Sequence, residues 1–276
     1  MSAKGRKTKI LVLMDLSTHS YEALKYTITM AKNLNCEIRL FNAFAPGDIV
    51  KSESQSVSLQ ELQKKKMKLE DTFSSIVEII EAEGIATSYN YKLGPIRDSI
   101  QQEISSYAPD LIVMGVEKSL KKGKLGQFIL NTFKGDVLFV NAAHEFSEDV
   151  RVCFVNLEQP ANQYNFDLLK EINECTNSTL KIVQTNGLKD TLEGLKSIES
   201  AEVYDIAPTA NGNRRVGPTE IADDIIDSIS KFESSLLCLG NYSEPKSMLQ
   251  RMFGSKQLKT EIIKQSKGPV LMLGTK

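Results

Sequence analysis

Residues 148–276 repeat the pattern of residues 1–147 in the same order, and this duplication constrains the fold more than any other feature of the chain. RVCFVNLEQ at 151–159 answers KILVLMDLS at 9–17, and STLKIVQTN at 178–186 answers CEIRLFNAF at 36–44. Further on, VGPTEIADDI at 216–225 answers LGPIRDSIQQ at 93–102, SSLLCLG at 234–240 answers PDLIVMG at 109–115, and GPVLML at 268–273 answers GDVLFV at 135–140. The offset falls from 142 to 123 residues and rises again to 133, so the order is kept while connections shorten and lengthen. A fixed succession of matches with drifting offsets marks two copies of one domain in tandem. The chain's 276 residues suit two such units at roughly 100–200 residues each. Residues 1–147 and 148–276 are the expected domains, with NAAHEFSED at 141–149 as the linker.

Within the first copy, KILVLM (9–14) is a short apolar run closed by charge, as expected of a strand covered on both faces of a parallel sheet. Ser17 or Ser20 can cap the helix that follows, in which Ala23, Leu24, Tyr26, Thr27, Met30, Ala31 and Leu34 recur at helical spacing. EIRLFNAF (37–44) reads as a second strand and residues 45–58 as a loop. Leu59, Leu62, Leu69, Phe73, Ile76, Val77 and Ile80 then mark a long amphipathic helix ending at Gly84. A strand over 86–92, a helix from Ile96 to Tyr107 opened by Gly94-Pro95, an apolar strand Asp110 to Gly115, a helix near Gln127 to Phe133 and a strand Asp136 to Val140 complete the unit. Alternating strands and helices predict an α/β doubly wound parallel sheet in each copy.

Composition removes several functional classes. With 34 Lys+Arg against 35 Asp+Glu the net charge is -1, so no electrostatic drive toward nucleic acid or an anionic membrane is expected. No stretch approaches the roughly 20 apolar residues of a membrane span. The basic start MSAKGRKTKILVLMDLS is closed by Asp15 before a signal-peptide core could form, so a cytoplasmic, soluble protein is expected. Cys36, Cys153, Cys175 and Cys238 form no CxxC pair and read as buried free thiols. The two histidines, His19 and His144, stand beside no evident nucleophile. Paired carboxylates such as Asp223-Asp224 fall on amphipathic helices as solvated faces, so neither a metal site nor a catalytic constellation is expected.

The opening strand, the Asp-x-Ser that follows it (Asp15-Leu16-Ser17) and HSYEALKYTITMAKNLNCEI closely resemble the first strand, loop and helix of the universal stress protein family. The resemblance covers the first copy and, more weakly, the second, so the whole resembles a tandem member. It implies a five-stranded parallel sheet in each copy, of the adenine nucleotide alpha hydrolase-like type. It also implies docking of paired domains through their last strands, here DVLFV and PVLML, which gives an internal pseudo-dimer with a homodimer as a further possibility. ATP-binding members carry Gly-x-x-Gly, nine residues, then Gly-Ser or Gly-Thr after the fourth strand. Glycines there let backbone amides approach phosphates, and the following helix N-terminus favours an anion. The family's Asp after the first strand contacts the adenosine.

Each copy keeps part of that motif. In the first, Asp15 and Gly115 match, whereas Lys118 stands at the second glycine, Gly126 comes 11 positions after Gly115, two short of the motif, and Gln127 replaces Ser/Thr. In the second, Gly240 and the Gly254-Ser255 pair match, whereas Ser243 replaces the second glycine, the interval is 14, and Asn156 stands for the Asp. Two readings stay open. Gly115, Gly126, Gly240 and Gly254 either only end strands and start helices, or the first copy keeps an altered site for ATP or AMP. In the second case Asp15 accepts from a ribose hydroxyl, the Gly126 and Gln127 amides meet phosphate, and Lys118, Lys121, Lys122 or Lys124 supplies charge. A dinucleotide-binding GxGxxG after the first strand and a GxxxxGK[ST] loop are both absent from the sequence. Residues Ser200 to Arg215, with APTANGNRR, depart furthest from the family and read as a polar loop. The expected function is therefore stress response by binding, of an adenine nucleotide or, alternatively, of partners by a nucleotide-free scaffold, with a weak ATPase as a third class.

Overall fold

The computed structural model describes residues 6–44, 55–116, 124–141, 145–156, 164–185, 195, 201–206, 218–232, 235–240 and 255–275. The first copy runs β1 (Thr8–Leu13), α1 (Thr18–Ala31), β2 (Cys36–Phe44), α2 (Gln55–Ala82), β3 (Ala86–Leu93), α3 (Ile96–Tyr107), β4 (Leu111–Gly115), α4 (Lys124–Thr132) and β5 (Asp136–Val140). The second runs β6 (Val152–Asn156), α5 (Asp167–Glu174), β7 (Leu180–Thr185), β8 (Ala201–Ile206), α6 (Pro218–Ser230), β9 (Leu236–Gly240), α7 (Ser255–Gln265) and β10 (Val270–Leu273). All ten strands join one sheet in the order β3-β2-β1-β4-β5-β10-β9-β6-β7-β8. Each half is parallel throughout, and the halves meet at the antiparallel pair β5·β10. Leu138 faces Leu271 at the centre of that pairing, flanked by Val137 opposite Met272 and Phe139 opposite Val270, which places a local twofold between the copies.

Because successive strand residues point to opposite faces, each apolar strand feeds two cores. Ile10, Val12, Leu138, Phe154 and Leu271 pack beneath α1, α2 and α5 on one face, in a cluster that runs unbroken from one copy into the other. Leu11, Ile112, Phe139, Val155 and Met272 pack beneath α3, α4, α6 and α7 on the other. The duplicated doubly wound sheet expected from the sequence is thus present.

Four details differ from expectation. Helix α2 begins at Gln55, inside the stretch read as a loop, and α4 begins at Lys124, ahead of Gln127. The stretch from Ser200 opens with a strand: Ala201–Ile206 pairs in parallel with β7, from Leu180 opposite Ala201 to Thr185 opposite Ile206. Its AEVYDI sequence hides it, because an edge strand carries exposed residues such as Glu202 and Val203 where a central strand is apolar. The APTANGNRR segment lies outside the described residues. Cys36, Cys153 and Cys238 are buried free thiols, but Cys175 is only half buried, its thiol donating to the Asn33 carbonyl at 3.0 Å.

The seam is closed at both ends by a side chain of β5 or its flank. Asp136 accepts from the Gly274 amide at 2.7 Å, and Asn141 donates to the carbonyls of Ile263, Ser266 and Gly268 at 2.8, 3.2 and 3.3 Å. Asp136 is 4% exposed. Burial pushes its carboxyl up to about 7, the Gly274 amide opposes that shift, and the negative charges of Asp167 and Asp110 add to it. Below the ordinary value of 3.8 the group is protonated in both the folded and the unfolded chain; between there and about 7 the unfolded chain ionises first and stability is lost. Urea unfolding from pH 4 to 8 should therefore show an Asp136-dependent decline, at roughly 1.4 kcal/mol per unit at most. Asp136→Asn, which keeps an acceptor for Gly274, should flatten that decline.

Candidate functional site

The connection from β1 to α1 is short and tightly held. Met14 N–H donates to the Phe41 carbonyl at 2.8 Å, which extends the β1·β2 ladder by one bond. Leu16 then takes a left-handed backbone, φ 62°, which costs a non-glycine residue about 1–2 kcal/mol. Its side chain packs against the α1 and α2 core, which offsets that strain. Ser17 caps α1 in an extended conformation, its hydroxyl accepting from the Ser20 amide at 3.3 Å. The capping hydroxyl, the reversed backbone and the short loop together set Asp15 at the head of α1. Its carboxylate accepts from the Ser17 amide at 2.9 Å. Partial burial acts to raise its pKa, but hydrogen bonds from Ser17 and Ser20 outweigh burial and hold the carboxyl below the ordinary range, so Asp15 is ionised at neutral pH.

Asp15 stands on the rim of a cavity of about 200 Å³ at the carboxyl ends of β1, β2 and β4, where open α/β sheets bind ligands. Leu13, Met14, Phe41, Ile96, Ile100, Met114 and Leu125 supply apolar wall; Asp15, Ser17, Ser20 and Asn42 supply polar groups. The Asn42 amide donates to the Met14 carbonyl, which ties β2 to the start of the loop. Gly115 ends β4 against the first turn of α1: a Cβ there would lie 2.1 Å from the His19 carbonyl oxygen, so only glycine allows the helix to seat this closely.

Helix α3 contributes Ile96 and Ile100 to the wall. One turn further, Glu103 is fully buried. It accepts from Asn90 at 2.7 Å and pairs with Arg39 at 3.4 Å and Lys92 at 3.6 Å, fastening α3 to β2 and β3. A buried carboxylate is tolerable only when paired and hydrogen-bonded in this way.

Of the positions singled out in the sequence, the structure brings Asp15 and Gly115 to this cavity. Gly126 is buried in the first turn of α4, where a Cβ would meet the Phe139 ring at 3.2 Å, and Gln127 beside it is exposed. Lys118, Lys121, Lys122 and Gly254 lie outside the described residues, Lys124 opens α4, and Ser255 opens α7. Gly240 ends β9, as Gly115 ends β4. The cavity residues Phe41, Asn42, Ile96, Ile100 and Leu125 were not singled out, because each reads locally as a strand or helix residue of an amphipathic pattern.

The second half departs from the first in a specific way. Leu11 faces Arg39 and Cys153 faces Lys181, each partner 28 residues further along, so the β1–β2 and β6–β7 connections have equal length. In that register Asn156 is the counterpart of Met14 rather than of Asp15, and it is buried at the end of β6. The first residue of α5, Asp167, is the counterpart of Lys25, seven residues into α1. Ahead of α5, Tyr164 forms a β-bridge with Thr275, and the Asn165 amide donates to the Gly274 carbonyl at 2.9 Å. The Tyr164 ring, 2% exposed and packed edge-on against Phe154 and Phe166, covers Gly240, where a Cβ would lie 2.0 Å from it. The space that α1 fills over Gly115 is filled over Gly240 by this side chain.

Residues 7–140, which contain every element of the first half and its cavity, match the model of the universal stress protein family. The first half of this chain is a universal stress protein domain. The tandem arrangement has solved counterparts. A universal stress protein from Archaeoglobus fulgidus is 18% identical, with 96% of this chain and 97% of that one covered and a TM-score of 0.68. A functionally unknown protein from Pseudomonas aeruginosa is 12% identical, covering 98% and 93%, with a TM-score of 0.55. At these identities the likeness is one of fold, and it extends over both halves. No curated protein matches the sequence.

The tight seat of α1 on Gly115 should be visible in stability. Gly115→Ala must displace the His19 backbone, and chemical denaturation should show a loss of about 1–3 kcal/mol, the range for overpacking a filled site.

Proposed function

We propose that the universal stress protein domain binds an adenine nucleotide, ATP or AMP, in the Asp15 cavity, and that the protein acts in a cytoplasmic stress response by binding rather than by chemistry. The observation that carries the reading is an ionised carboxylate at the mouth of an apolar slot at the strand ends. An aspartate kept below its ordinary pKa is a ready acceptor for ribose hydroxyls, and Phe41, Ile96, Ile100 and Leu125 offer the apolar walls that a purine requires. The described residues that line the cavity include no thiol and no imidazole. The four thiols lie outside the cavity lining, and burial raises the pKa of Cys36 to about 11, that of Cys175 above its ordinary value and that of Cys238 well above it.

One observation favours a second reading, a nucleotide-free scaffold acting through partners or a further copy of itself. Gly126 is packed against Phe139, which gives it a structural reason to be glycine without a phosphate. Titration with Mg-ATP separates the two. On the first reading, saturation at about 100 times the dissociation constant stabilises the native chain by about 2.7 kcal/mol, a rise in Tm of about 5 °C or more. Asp15→Ala should abolish most of the rise, and calorimetry should return one site per chain, because Tyr164 covers Gly240 in the second half. A flat titration would leave the scaffold. Chromatographic detection of ADP would reveal slow hydrolysis.

A further inference from the structure

We propose that Arg97 is the residue that receives the ligand's phosphoryl groups, so that the cavity selects nucleotides over nucleosides. This inference rests on the adenine-nucleotide reading above. Arg97 occupies the first turn of α3, beside the cavity residue Ile96. Its guanidinium lies over the Phe128 ring of α4, 5.5 Å from the centroid, and Phe128 is one turn along from the cavity residue Leu125. The cation is therefore held in the gap between two helices that each contribute a wall residue, at the side of the cavity away from α1. A guanidinium resting on an aromatic face is restrained yet keeps its N–H edge free to bind an oxyanion.

Arg97 has no ion pair among the described residues, unlike Arg6, which pairs with Asp110 at 3.1 Å, and Arg39, which pairs with Glu103. A charged side chain stacked in place, with no ion-pair partner among the described residues, is suited to a mobile anion. Pro95, the N-cap of α3, makes no side-chain capping bond, and Asp98 is the acidic residue of that first turn, so Arg97 is the cation that offsets it there. The repeat supplies an independent contrast. In the pairing of LGPIRDSIQQ with VGPTEIADDI, the counterpart of Arg97 is Glu220. The charge is reversed in the half where Tyr164 covers Gly240, and positive in the half with the open cavity. The phosphate role assigned from the sequence to the Lys118–Lys124 run thus has a candidate that is fixed by a helix and a ring.

Calorimetric titration of adenosine, AMP and ATP into the full chain, with Arg97→Gln and Arg97→Lys beside the wild type, tests the assignment. Wild type should bind ATP more tightly than adenosine, by a margin that shrinks as salt is raised. Arg97→Gln should weaken ATP on the order of tenfold, leave adenosine unchanged and leave Tm without ligand unchanged, while Arg97→Lys keeps part of the ATP preference. Wild type that binds adenosine and ATP, with neither altered by Arg97→Gln, overturns the role of Arg97 and leaves the cavity reading standing. Equal weakening of adenosine and ATP also overturns it, since the residue then shapes the cavity rather than meeting phosphate. Wild type that binds neither overturns both readings.

Discussion

Everything in this molecule hangs on the antiparallel pairing of β5 with β10. It turns two five-stranded sheets into one of ten strands, and it lets the apolar cluster beneath α1 run unbroken into the one beneath α5. A parallel sheet must be covered on both faces to be stable. Joining the copies through their last strands removes one exposed edge from each and extends both covering layers across the junction. The seam then needs its ends closed, and the chain does so with polar side chains: Asp136 on the Gly274 amide and Asn141 on the last carbonyls around α7. A buried aspartate is a costly way to satisfy one amide, because its ionised form is disfavoured by burial.

Much of this was legible in the sequence because apolar strands of parallel sheets announce themselves. DLIVMG, DVLFV, SSLLCLG and PVLML each became a central strand, and their order in the repeat gave the doubled sheet. The edge strand β8 is hard to read because an edge tolerates exposed residues such as Glu202, and its pattern is that of a loop. At the site, Asp15 and Gly115 were visible through their motif. Asn42, Ile96 and Leu125 were not, since a cavity at strand ends is assembled from one residue each of several elements and no single segment carries its pattern. The role of Gly126 was the least legible of all. A glycine at the start of a helix looks the same in the sequence whether it makes room for a phosphate or for the ring of Phe139.

The two copies use a connection of the same length in different ways. Between β1 and β2, and again between β6 and β7, the chain spends the same number of residues. In the first copy they build a capped helix that starts directly against Gly115. In the second the helix starts seven positions later, and the residues just ahead of it go instead to a bridge with Thr275 and an aromatic cluster of Phe154, Tyr164 and Phe166. Among the described residues, the Tyr164 ring lies over Gly240 where the first turn of α1 lies over Gly115.

Reversing direction at β5·β10 also decides which way each copy looks. Strands of the first half end on one rim of the sheet and strands of the second half on the opposite rim, so the Asp15 cavity and the Tyr164 cluster sit back to back. The end of β10 meets the start of β5, which puts Gly274 beside Asp136 and Asn165 beside Gly274 in a single relay of hydrogen bonds. Tyr164 is thereby moored to the floor of the other domain. The second copy serves the first as a keel: the Tyr164 ring sits over Gly240, and its fastening runs through the carboxylate of Asp136 at the seam.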